Sequence, residues 1–224
     1  MLKKKRATPW KPGKVISICL RNGVYVLAQM VRDPYLVFFN HFNEENNWEG
    51  VTLKEEDILF CKAVTRQFLR YSPVTIVKEV NPLLDYELPK EWIYSHIGGH
   101  PMTVSVKGRE RQVAGFGRRC SLVLADKDSG QPEDNPLMGL FQAYIIPDIK
   151  EQDWDRVGQA EHMSIEVFPT LNERLYLCFL YGKNINPEQD ISLGKPLPDD
   201  YETYIDILTN SPEARRLYLG EHEE

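Results

Sequence analysis

The chain has 224 residues, 42% of them hydrophobic and 27% charged, with a formal net charge of -6. These values fit one large or two small globular domains, and the negative balance disfavours bulk nucleic-acid binding, which needs cationic charge facing phosphates. No apolar run approaches the roughly 18 residues that span a bilayer, and the basic start MLKKKRATPW lacks the apolar core and cleavage site of a secretory signal, so a cytoplasmic location is expected.

Residues 1–10 read as a loose arm. A three-stranded meander follows over 14–20, 24–31 and 35–42, with Asn22-Gly23 and Asp33-Pro34 as its turns. Turn dipeptides between β-branched and aromatic runs are the strongest short-range hairpin signal. Such a meander needs more strands or a helix to cover its apolar face. Residues 43–52 form a polar loop holding Trp48. Asp57–Val64 then reads as a fourth strand, and Val74–Val80 as a fifth. Together these suggest a strongly bent barrel of SH3-like size.

Three prolines and Gly98-Gly99 mark 81–101 as a linker. Beyond it, Met102–Val106 alternates, turns at Gly108 and returns over Arg111–Phe116. Cys120–Ala125 is a further apolar run, 126–136 an exposed loop, and Leu137–Ile149 is compatible with helix or strand. Glu151–Val157 suggests a short helix. Met163–Phe168 and Leu175–Tyr181 are expected to pair as a hairpin through a turn at Asn172. The Pro-rich stretch 187–198 leads to a helix near 199–209. A last helix starts at Ser211-Pro212, with Ser211 as N-cap. The expected class is α+β, mostly β: an N-terminal SH3-like small barrel or meander (1–80), a linker (81–101), and a second antiparallel β-rich half with C-terminal helices (102–224).

The four cysteines, at 19, 61, 120 and 178, form no Cys-x-x-Cys pair and read as reduced. Gly115-Phe116-Gly117-Arg118-Arg119 lacks the third glycine and the following helix of a dinucleotide loop, leaving a turn with exposed arginines. His96 and His100 stand four apart, as metal ligands on a helix would, but the glycine pair between them opposes a helix. No nucleophile elbow or triad is placed. No cofactor and no metal is expected. The acidic residues cluster instead: Glu44, Glu45 and Glu49 around Trp48, then Glu55, Glu56 and Asp57, then Asp199, Asp200 and Glu202, with Glu221, Glu223 and Glu224 at the tail. Such runs are commonly solvated surface. The functional alternative is an anionic face for a basic protein partner, with Trp48 as anchor unless it folds back to cap the barrel.

The opening meander resembles the immunity protein 26 family of bacterial polymorphic toxin systems over about the first third of the chain. The residues that carry the likeness are Gly13, Val15, Ile18 and Leu20, then Gly23, Tyr25 and Val26, then Val31, Pro34, Val37, Phe38 and Phe39. Ala28 stands where a glycine is common in that family, and Asn40 where an aspartate is. The resemblance implies a non-catalytic cytoplasmic antidote that binds a cognate toxin domain and blocks it. The expected contact surface is Glu44, Glu45, Trp48 and Glu49, followed by Asp199, Asp200 and Glu202, with no membrane or direct nucleic-acid partner. The alternative is an enzyme acting on a small molecule or nucleic acid near His96 and His100, with Arg118 and Arg119. A weaker option is a regulatory module using the basic arm Lys3–Arg6 on an acidic partner.

Overall fold

The computed structural model describes residues 8–96, 100–117, 119–125, 141 and 143–219. The arm Lys3–Arg6, Arg118, the loop 126–136 and the acidic tail therefore lie outside the described residues. The chain is α+β and mostly β, built from antiparallel sheets with helices toward the C-terminus. It divides into two compact units that interleave along the sequence: residues 1–87, 164–186 and 199–224 form the first, and 88–163 with 187–198 form the second.

The first unit holds the expected meander: β1 (Val15–Cys19), β2 (Tyr25–Met30) and β3 (Tyr35–Asn43), followed by β4 (Ile58–Val64), α1 (Arg66–Tyr71) and β5 (Val74–Val77). The side chain of Thr65 caps α1 by accepting from the Phe68 amide at 3.2 Å. The second unit contributes β6 (Glu91–His96), β7 (Met102–Val106), β8 (Arg109–Val113), β9 (Arg119–Leu124), β10 (Ala143–Ile146), α2 (Trp154–Val157) and β11 (Glu161–His162). The chain then re-enters the first unit with the short β12 (Ile165–Glu166) and α3 (Thr170–Tyr181). It forms α4 (Pro187–Ser192) in the second unit and ends with α5 (Glu202–Leu208) and α6 (Pro212–Leu219) in the first.

The first sheet has the order β12-β4-β3-β2-β1-β5, so its two edges do not meet and it is not the small barrel expected. The physical reason is α3. Leu171, Leu175, Tyr176 and Cys178 bury against Ile16, Ile18, Val26, Met30, Leu36 and Phe38 on one face of the sheet. A helix that covers an apolar face removes the need for closure. The opposite face is covered by loops. Ser17 reaches Asn46, and the Gln29 side chain both donates to the Leu83 carbonyl and accepts from the Leu83 amide, at 2.8 and 2.7 Å.

Helix α3 replaces the hairpin expected over Met163–Phe168 and Leu175–Tyr181. LYLCFLY is apolar throughout, and such a run does not distinguish strand from helix by its own period. The spacing Leu171, Leu175, Cys178 is helical, and all three are fully buried. The helix ends at Gly182, whose φ of 65° is the left-handed conformation that favours glycine, with its amide bonded to the Phe179 carbonyl. Asn172, expected at a turn tip, is instead buried in the helix. It accepts from the Ser72 hydroxyl at 2.8 Å and donates to the Cys19 carbonyl. At the end of the chain Ser211 caps α6 as expected, accepting from the Ala214 amide at 3.1 Å.

The second unit centres on the sheet β10-β9-β6-β11, with β11 parallel to β6 and the other pairs antiparallel. Ile93, Cys120, Leu122, Ile149 and Val157 form its core. β7 and β8 make a separate two-stranded hairpin. The stretch 81–101, expected to be irregular, thus contains the central strand β6. The C-terminal helices α5 and α6 belong with the meander rather than with the second β-rich half. Among the described residues no helix is long and apolar enough to cross a membrane.

Candidate functional site

The loop after β3 is built from the asparagines between its glutamates. Asn43 Oδ1 accepts from the Glu45 amide at 2.9 Å, and Asn47 Oδ1 accepts from the Glu49 amide at 3.1 Å. The Asn43 amide group donates to the Asn47 carbonyl at 2.9 Å. Short polar side chains that bond the backbone two residues on fix a turn locally. Asn46 Oδ1 adds a tertiary anchor, receiving both the Ser17 hydroxyl at 2.7 Å and the Trp48 indole N–H at 3.0 Å. Trp48 is 2% exposed. It is therefore a buried anchor, not the exposed contact residue expected: its large apolar ring gains more from the covered sheet face than from water. Glu44, Glu45 and Glu49 remain exposed around it. The result is three carboxylates held outward on a loop pinned from below.

The second acidic group lies near the same strand end. Asp199 and Asp200 are exposed, and Glu202, at the start of α5, is half-buried. The Tyr181 hydroxyl donates to Asp200 at 2.9 Å, a bond that raises the phenol's pKa above its ordinary value. Next to Tyr181, the Gly182 carbonyl accepts from the Asn40 amide group at 3.2 Å, and Phe42 packs on Phe179 with ring centroids 5.6 Å apart. Asn40 and Phe42 lead directly into the loop. The C-terminal end of α3, with Asp200 attached, therefore sits beside the strand end from which Glu44, Glu45 and Glu49 rise. Asn40 needs its N–H donor here; an aspartate would present a carboxylate to a carbonyl.

Beneath this surface the first unit carries a polar network that the sequence did not reveal. Glu173, fully buried on α3, accepts from both the Nε and an Nη of Arg21, at 2.9 and 3.2 Å, and from the hydroxyl of Tyr218 on α6. Burial first, and the adjacent Glu173 second, push the Tyr218 phenol far up, so it stays a neutral donor. The Arg21 guanidinium also stacks over the Tyr176 ring at 3.6 Å. Arg174, 1% exposed, lies over the Phe60 ring and donates to the Ile185 carbonyl and Asn184. Lys62, fully buried, donates to Ser164 at 2.8 Å and lies 3.7 Å from Glu166. The only available sequence signal was a charged pair, Glu173-Arg174, inside an apolar helix. These groups tie segments distant in sequence together.

In the second unit, His96 Nε2 and Ser121 Oγ are 2.8 Å apart on paired strands, and Ser121 donates its proton to the Pro147 carbonyl at 2.6 Å. Ser121 must then accept from His96, which fixes the Nε2–H tautomer. The ring lies edge-on to Tyr94 and parallel to Tyr144. Partial burial, then the Arg119 charge, hold its pKa below the usual histidine value, against an opposing pull from Asp148. Gly117 passes so close that a Cβ there would meet the His96 carbonyl oxygen at 2.1 Å, so only glycine fits. Ser121 is fully buried with its proton committed, and so is no nucleophile. Arg119 donates to the Pro147 carbonyl. His100 is exposed, and residues 97–99 lie outside the described residues. Among the described residues no group of three or more His, Cys, Asp and Glu is arranged to hold a metal ion.

Residues 4–108 match a family described as a domain of unknown function, DUF8309. The matched stretch runs from before β1 through β7 to the turn at Gly108, and so omits α3, which completes the first unit's core. No curated protein and no solved structure matches the chain.

Proposed function

We propose that this chain is a non-catalytic binding protein that neutralises a cognate toxin domain through the acidic end of its first unit. The observation that supports this best is the pinned loop: Glu44, Glu45 and Glu49 are exposed while Asn43, Asn46, Asn47 and buried Trp48 hold the backbone beneath them. A loop already fixed in the free protein loses little conformational entropy on binding. Outward carboxylates steer a basic partner and raise its association rate in a salt-dependent way. Asp199 and Asp200 extend the same anionic rim. The toxin assignment draws on the family resemblance of the meander, and the charge of the surface suits a partner with a basic substrate groove.

The test is co-expression with the product of the adjacent reading frame, followed by co-purification. The expected result is that the neighbour is toxic alone, that the pair survives as a complex, and that the triple variant E44K/E45K/E49K slows association at least tenfold and removes its salt dependence. A harmless neighbour that fails to co-purify overturns the toxin assignment. A complex indifferent to the triple variant overturns the surface.

The rival reading, an enzyme with a site near His96 and His100, draws on the fixed tautomer of His96, which leaves Nδ1 as the ring's acceptor. It would be favoured by a turnover lost in H96Q with the fold intact.

A further inference from the structure

The hairpin β7–β8 is joined by the two residues Lys107 and Gly108, both with positive φ, at 50° and 68°. This is the geometry of a tight two-residue hairpin, in which the flanking pair, Val106 and Arg109, exchanges both backbone hydrogen bonds. The antiparallel ladder then alternates. Val104 pairs with Arg111, and Met102 with Val113, as hydrogen-bonded partners. The N–H and C=O groups of Thr103 and Ser105 point the other way, out of the hairpin. Within its two-stranded sheet β7 has no second neighbour. Among the described residues, the backbone groups of Thr103 and Ser105 meet no partner.

That outward edge is not bare surface. It forms one wall of a groove of about 270 Å³ lined by the four consecutive residues Met102 to Ser105. Consecutive residues of a strand point to opposite faces, so all four line one groove only where it runs along the backbone edge. The facing wall is the end of α4 with the segment after it, including Ile191, Gly194, Pro196 and Leu197. Among the described residues Lys195 is the one charged group of the lining. Its ammonium is 3.2 Å from Asp190 and lies over the Trp154 ring, and it has three donors to distribute. Among the described residues no carboxylate lines the groove.

We infer that this groove takes an extended peptide segment of a partner protein, which adds as a strand to the free edge of β7 and places a carboxylate at Lys195. Two donor–acceptor sets spaced two residues apart are the complement of an extended main chain, and this edge-addition mode draws affinity from backbone bonds and selectivity from alternate side chains. The apolar walls accept one face of the incoming strand. Lys195 makes an acidic residue favoured over a basic one. The surface belongs to the second unit and is independent of the acidic loop.

The experiment uses the full chain and three fluorescein-labelled octapeptides. One alternates valine with glutamate, one alternates valine with lysine, and one repeats the first with a central proline. Binding is read by fluorescence anisotropy, and amide exchange at Thr103 and Ser105 by NMR. The expected result is that the Val/Glu peptide binds at least tenfold more tightly than the other two and slows exchange at both amides at least tenfold. T103P and S105P each remove one outward N–H that makes no bond within the hairpin, and they should abolish binding while the exchange pattern of β6 and β9 stays native. Unprotected amides at saturating peptide overturn the proposal, as does equal binding of the lysine peptide. Binding unaltered in both proline variants also overturns it, as does self-association of the chain through this edge in sedimentation.

Discussion

In the first unit Glu173, Arg174 and Lys62 are each 0 or 1% exposed, and each meets a charge, a carbonyl or an aromatic face supplied by a distant part of the chain. In the second unit Glu161 on β11 is also buried, while His96, half-buried at the end of β6, meets the neutral Ser121 across adjacent strands. The difference between these groups follows from how far each is enclosed. A sheet covered on one face by α3 and on the other by loops can surround a charge completely, and a buried charge is tolerated only when its partners are complete. His96, only partly enclosed, is held by a neutral hydrogen bond, which costs less to bury than a charge. Stability in the first unit should thus depend on single long-range partners. In the second it should depend on keeping a histidine uncharged.

The sharpest way to break this comparison is E173A. It leaves the Arg21 guanidinium and the Tyr218 hydroxyl without their shared acceptor and should cost about 3 to 5 kcal/mol in denaturant unfolding of the first unit. A loss below about 1 kcal/mol would mean that the network is solvated and not structural. W48A comes next. Removing a buried indole should cost about 3 kcal/mol and also free the acidic loop, speeding amide exchange at Glu45 and Glu49. If stability falls while those amides remain protected, the asparagines alone hold the loop.

The smallest effect concerns His96. Its folded pKa lies below the unfolded value of about 6.5, so the unfolded chain takes up the proton first as pH falls. The contribution from this group is complete above that pH and is lost as pH drops toward and through the folded pKa. H96Q retains a donor for Ser121 without titrating. It should flatten the pH dependence of the second unit's stability below about pH 6.5, and the wild-type ring should titrate in NMR below 6.5. A wild-type pKa at or above 6.5 would remove the basis for the contrast.

The elements readable from the chain were those fixed by neighbours in sequence. Asn22-Gly23, the alternation of Val24 to Met30 and Ser211-Pro212 each specify geometry within a few residues. The acidic residues of the candidate surface were legible for the same reason. Trp48 was not: an aromatic among glutamates looks the same in sequence whether it points out or in, and the acceptor that draws its indole inward is shared with Ser17.

By itself, then, the sequence determined the meander, the hairpin at Gly108 and the mostly β class, because turn chemistry and two-residue alternation act locally. Tertiary structure decided that Leu175–Tyr181 is helical, that the first sheet stays open under α3, and that β6 lies inside the expected linker. It also decided that the chain returns from the second unit to complete the first. These outcomes rest on pairs such as Arg21 and Glu173, 152 residues apart, whose energies exist only once the chain has brought them together.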